Sequence, residues 1–208
     1  MKELNITLPS SWDEVTLEMF DVITSEESNP YEKITDILEI MTGLPKSEIK
    51  DLPATILESA KLNEKLSFMT KEPRKKMPVE KYTLNGKKYI MSLYPAKWTA
   101  AQYLDYNAVL GGGPQKKMAK LVACFMVPEG KKYGEGYDFD RLVDEIYEHM
   151  PVTVAMGYAS FFQLQLTSYA KALSAYTERK KKKSTQRRAS RLLRKSQKKV
   201  STTSGIPS

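Results

Sequence analysis

The sequence predicts a mainly α fold with one small antiparallel β-hairpin, an α+β class: a compact helical domain followed by a disordered basic C-terminal tail. Three observations carry this expectation. Asn85-Gly86 stands between two short runs that alternate apolar with polar, Tyr82 and Leu84 before it and Tyr89, Met91 and Leu93 after it. Those two residues supply the positive φ angles of a tight type I′ turn. Most of the remaining chain repeats its apolar residues at spacings of three and four, the period of a helix face. Finally, Arg179 to Lys199 holds 12 of the 33 Lys and Arg residues and none of the Asp and Glu. A two-stranded hairpin is marginal alone in water, so helices must cover its apolar face.

That concentration changes the meaning of the net charge. The chain of 208 residues carries a formal +8, but residues 1–178 hold 21 basic against 25 acidic side chains, a formal −4. The body is mildly acidic and the excess positive charge belongs to the tail. Cys124 is the single cysteine and lies in an apolar run, which excludes an intrachain disulfide and suits a reducing cytoplasm. The N-terminus lacks the apolar core of a signal peptide. Val152 to Ala170 is free of charge, yet Thr153, Ser160, Gln163, Gln165, Thr167 and Ser168 make it too polar for a comfortable membrane span. A buried helix and no membrane contact are expected there.

Taken in order, Leu4 to Leu8 suggests a short strand, and Thr16 is placed to cap a helix from Leu17 to about Thr24. Pro30 suits the first position of a helix striped by Tyr31, Ile34, Ile37, Leu38 and Met41 and closed by Gly43. Leu44 to Pro53 reads as a turn with one short helical turn capped by Ser47, and Ala54 to Phe68 as another amphipathic helix. Lys71 to Pro78 is charged and bounded by prolines, the expected linker between an N-terminal helical cluster (residues 1–70) and the hairpin with its helices (79–178). These two parts are expected to pack as one domain, with 179–208 a basic flexible tail.

After the hairpin, Thr99-Ala-Ala-Gln102 fits a capping box opening a helix that carries Tyr103, Leu104, Tyr106 and Leu110. Gly111 to Pro114 is a flexible break, and Met118 to Val127 reads as an apolar helix stopped by Pro128. Phe139, Leu142, Val143, Ile146 and Tyr147 stripe the next helix. The longest helix is expected from Val152 to about Glu178. Its aromatic series Tyr158, Phe162, Tyr169 and Tyr176 has two readings: a central core stripe, or a face that awaits another subunit or a partner helix.

Catalytic chemistry has little support. His149 is the single histidine, and Cys124 in an apolar segment reads as a small core residue rather than a nucleophile. One Cys and one His leave no zinc spacing. Gly111 to Lys117 lacks the Gly-Lys-Ser/Thr ending and the preceding strand of a phosphate loop. Asp138, Asp140, Asp144, Glu145 and Glu148 do not match a calcium loop and read as a solvated helix face. No catalytic residue, metal or cofactor is expected. The tail is the strongest chemical feature: if helical, Arg187, Arg191, Arg194 and Lys198 share a face, joined by Arg188 and Lys195 as contacts for an anionic partner. Such a segment suits nucleic acid, an acidic protein surface, or simple solubilisation.

The order of features then becomes more telling than any one of them. Leu8 to Leu17, Ile40 to Leu44, Leu84 to Tyr89, Trp98 to Asp105, Val127 to Tyr133 with Gly136-Tyr-Asp138, and Pro151-Val with Phe161-Phe162 form a series. Over about residues 4–178 this series resembles small proteins of tailed phages, particularly those infecting Bacteroidota, in the position of tail assembly chaperones. The resemblance implies a non-enzymatic assembly factor in the host cytoplasm that coats the tape measure protein and recruits tail tube subunits, without remaining in the virion. Methionine and aromatic side chains suit the holding of varied apolar helices. Tyr158, Phe162, Tyr169 and Tyr176 are then the expected partner-binding residues, and self-association stays open. Two other expectations stand beside it: a structural component of the phage neck or tail, and a small nucleic-acid-binding protein acting through its basic tail.

Overall fold

The computed structural model describes residues 8–25, 30–52 and 66–203. The chain divides into two compact units, one reaching Gln163 and one beginning at Leu164. The fold class is the expected one: mainly helical, with a small antiparallel sheet. The Leu4–Leu8 strand and the helix expected from Ala54 lie largely outside the described residues.

The first unit opens with α1 (Leu17–Thr24), whose Thr16 hydroxyl accepts from the Met19 amide at 3.3 Å. Helix α2 (Pro30–Thr42) begins on the proline and ends where Gly43 turns to φ +68° and donates to the Glu39 carbonyl. Its buried Leu38 meets Leu8 and Ile49 in a small core flanked by Ile34, Met41 and Leu44. Ile49 belongs to α3 (Lys46–Lys50), which starts after Pro45, so Ser47 sits inside the helix rather than capping it. Pro45 at the cap position leaves no side-chain acceptor there.

The hairpin is β1 (Lys81–Leu84) and β2 (Lys87–Met91), joined by Asn85 at φ +46° and Gly86 at φ +74°. The structure adds a third strand, β3 (Met126–Pro128), antiparallel to β2 with Ile90 opposite Val127 and Met91 opposite Met126. Helix α5 is accordingly shorter than expected, Lys117–Ala123 rather than Met118 to Val127. A continuous buried apolar run reads alike as helix or strand. Here the hairpin offers a free edge, and Pro128 ends a strand that needs no further donor on its outer side. Three strands with a covered face are stable where two are not.

Helix α4 (Ala100–Gly111) carries the expected capping box: the Thr99 hydroxyl accepts from the Gln102 amide, and the Gln102 side chain accepts from the Thr99 amide. Tyr106 is buried, whereas Tyr103, Leu104 and Leu110 are exposed. Helix α6 (Phe139–His149) is capped by Asp138 and buries Leu142, Val143 and Ile146. It packs against α1 and α5 and lies beside β1. Lys116, left-handed at φ +49°, ties the start of α5 to α6 through an ion pair with Asp144 at 2.7 Å.

Helix α7 runs from Val152 to Thr203, well past the expected end near Glu178. The reason is local: Lys, Arg, Gln, Ala and Leu are good helix formers, and neither Gly nor Pro interrupts the run from Tyr158 until Gly205. Its first turns, within the first unit, carry the core residues Val152, Ala155, Tyr158 and Phe162.

Lys71 to Pro78, the stretch expected as a linker into the hairpin, is tied to the rest of the first unit by hydrogen bonds. The segment is an extended strap held on the start of α7. Lys76 donates its amide to the Thr153 carbonyl at 3.0 Å, and Trp12 Nε1 donates to the Lys71 carbonyl at 2.7 Å. Asp13 clamps the crossing, accepting from the Thr153 hydroxyl at 2.7 Å and pairing with Lys76 Nζ at 2.9 Å. Those two hydrogen bonds hold the Asp13 carboxyl below its ordinary range.

Candidate functional site

The expected partner-binding series divides within α7. Tyr158 is 1% exposed and Phe162 is fully buried, so both belong to the core and neither is a contact surface. Phe162 packs its ring among Phe125 at 4.1 Å, Tyr158 at 6.1 Å and Trp98 at 6.1 Å between centroids. The Tyr158 hydroxyl donates to the Val79 carbonyl at 2.8 Å and accepts from the Val79 amide at 3.3 Å. Burial above all pushes that phenol up to about 12. Helical spacing cannot tell a stripe covered by its own chain from one awaiting a partner, which is why these two residues read as a surface in the sequence.

Tyr169 and Tyr176 belong to the second unit and are 49% and 63% exposed, with Leu164 also exposed. They continue the seven-residue spacing from Phe162, so one aromatic series is dry at its start and wet further on. Lys180 to Lys183 are exposed next along the helix. The backbone is helical at Arg187, Arg188, Arg191, Arg194, Lys195 and Lys198. A helical backbone puts Arg187, Arg191, Arg194 and Lys198 on one side by spacing.

The groups weighed for catalysis are dispersed. His149 stands near the exposed end of α6 beside Glu148. Cys124 is fully buried, and burial first, then the Asp105 charge, pushes its thiol up to about 12, far from thiolate at neutral pH. Gly111 is the last residue of α4, so the glycine run continues a helix and does not follow a strand. Among the described residues no group of three His, Cys, Asp or Glu side chains is placed to hold a metal ion. Nor, among them, is any helix long and apolar enough to cross a membrane.

The acidic series of α6 is not wholly a solvated face. Glu145 accepts from the Tyr89 hydroxyl at 2.8 Å and pairs with Lys87, binding α6 to β2. Burial disfavours its charge, but the Lys87 ammonium and the Tyr89 hydroxyl outweigh that and hold the carboxyl below its ordinary range. Sequence reasoning missed this link and the strap. One signal for the strap was available: Gly157 interrupts an otherwise good helix, the mark of a close backbone approach.

Compared with protein-family models, with curated proteins and with solved structures, the chain matches none.

Proposed function

We propose that the chain is a non-enzymatic assembly chaperone of tailed phages that holds the tape measure protein and helps bring tail tube subunits to it. One observation carries this reading: the aromatic series of α7, buried as far as Phe162, is uncovered at Tyr169 and Tyr176. Exposed tyrosines on a helix provide large, rigid contact area and suit docking against the apolar stripe of another helix. The order of sequence features from Leu8 to Phe162 supports the phage assignment by resemblance.

The test is a nuclease-treated pull-down from infected cells, comparing the full chain with a Tyr169→Asp/Tyr176→Asp variant by mass spectrometry. The native chain is expected to retain a very long helical phage protein. The variant should retain at least about tenfold less, since anchoring aromatics are commonly worth about 2 kcal/mol each. Equal recovery by both chains, or recovery of no such protein, overturns the reading.

A second reading rests on the 12 cationic residues between Arg179 and Lys199. Helical backbone through that run favours contact with an anionic partner, nucleic acid included. Replacing Arg187, Arg188, Arg191 and Arg194 by Ala should then weaken retention of nucleic acid in an untreated sample. Its salt dependence should flatten by roughly one unit of slope for each phosphate no longer neutralised. An unchanged slope would set that reading aside.

A further inference from the structure

The sheet has a second face. Tyr89 and Met91 of β2 point into the core, so Ile90 between them must point the other way. Its cross-strand partner Val127 shares that face. Over these two apolar residues lies a cleft of about 380 Å³, within the size range of small-ligand sites. Lys97, Lys131 and Lys132 stand on its rim with a single acidic residue, Glu135. Among the described residues neither Lys131 nor Lys132 forms an ion pair.

One wall of the cleft is firmly set. Gln102 is 2% exposed and donates to the Cys124 carbonyl at 3.1 Å, while its oxygen accepts from the Thr99 amide at 3.0 Å. Ser92 donates its amide N–H to the Phe125 carbonyl, and the Trp98 indole N–H donates to the Ser92 carbonyl. The opposite wall is the loop after β3, which turns through left-handed glycines at Gly130, Gly134 and Gly136. Tyr133 anchors that loop to α4 through its hydroxyl, donated to Asp105 at 2.7 Å. The result is a preset apolar floor under long, adjustable cationic arms.

We propose that this cleft is a binding site for a carboxylate carried on a short aliphatic body, the aliphatic part lying on Ile90 and Val127 and the carboxylate meeting Lys131, Lys132 and Lys97. Lysines act as flexible point charges, which suits a single anionic head without a fixed bidentate geometry. Two sources share this chemistry, a free small acid and the C-terminal carboxylate of an apolar peptide. Neither depends on the chaperone reading.

The test titrates the full chain with octanoate, with neutral octanol, and with acetyl-Leu-Leu as free acid and as amide, following backbone amide shifts by NMR. Saturable shifts at Ile90, Val127 and Lys131 to Glu135 are expected, with octanoate or the peptide acid binding at least about fivefold tighter than its neutral counterpart. Octanoate alone points to a free acid, and the peptide acid to a chain terminus. A Lys131→Ala/Lys132→Ala variant should lose that preference. Ile90→Ser, which touches no charge, should weaken the charged and neutral probes alike. Equal binding of charged and neutral probes, shifts centred elsewhere, or an undiminished preference in the lysine variant overturns the proposal.

Discussion

Gly157 shows how one missing side chain organises its surroundings. In a helix interior, replacing Gly by Ala ordinarily stabilises by about 1 kcal/mol. Here the added Cβ would stand 2.0 Å from the Lys76 carbonyl oxygen, a backbone atom of the strap. The strap cannot move off freely, because Lys76 donates to Thr153 on one side and Val79 exchanges hydrogen bonds with Tyr158 on the other. Overlap of this kind costs typically about 1–3 kcal/mol, so the sign should reverse. Gly157→Ala is therefore expected to destabilise the chain by up to roughly 2 kcal/mol net in urea unfolding. Faster hydrogen exchange at the Lys76 and Val79 amides should accompany the loss. A stabilised variant would mean that the strap does not lie on this helix.

At the scale of elements, what binds the sheet to its helices is a polar link as well as apolar packing. Glu145 on α6 receives the Tyr89 hydroxyl and the Lys87 ammonium from β2. A double-mutant cycle of Tyr89→Phe with Glu145→Ala should return a coupling of about 0.5–1.5 kcal/mol, since the hydrogen bond they share is lost with either change. The same pair fixes a pH dependence. The Glu145 carboxyl is held below its ordinary range in the folded chain, so its contribution is present above the unfolded carboxylate value of about 4.3 and is lost as pH falls through the lower folded value. The stability gap between the native chain and Glu145→Gln should consequently narrow on acidification below about pH 4. A gap that stays constant to low pH would show that charge plays no part in the link.

At the scale of the whole molecule, what was legible in the sequence was what neighbouring residues decide among themselves. The Asn85-Gly86 turn, the Thr99–Gln102 capping box, the Pro30 start and the Gly43 stop are each set within a few residues. What long-range packing decides was not legible: the pairing of Met126–Pro128 with β2, the docking of the strap, and the division of one aromatic series into buried Tyr158 and Phe162 and exposed Tyr169 and Tyr176. That burial has a collective consequence at high pH. Burial raises the phenols of Tyr82, Tyr89, Tyr106, Tyr133, Tyr137, Tyr147 and Tyr158 above the ordinary tyrosine value, and raises the Cys124 thiol to about 12. A group whose folded value is raised contributes stability that is complete below its unfolded value and is lost as pH climbs toward the folded one. For phenols the loss begins near pH 10. Because the raised groups span β1, β2, α4, α6, α7 and the loop after β3, their losses add within one cooperative core. The first unit, which holds all of these groups, should unfold in a single alkaline transition between about pH 10 and 12, with its helical circular dichroism lost as tyrosinate absorbance rises. Tyr158→Phe, which keeps the ring and removes one titrating group, should shift that transition upward relative to its own neutral-pH stability. Full tyrosinate absorbance with the first unit's helical signal intact would mean that these phenols are not buried as the core requires.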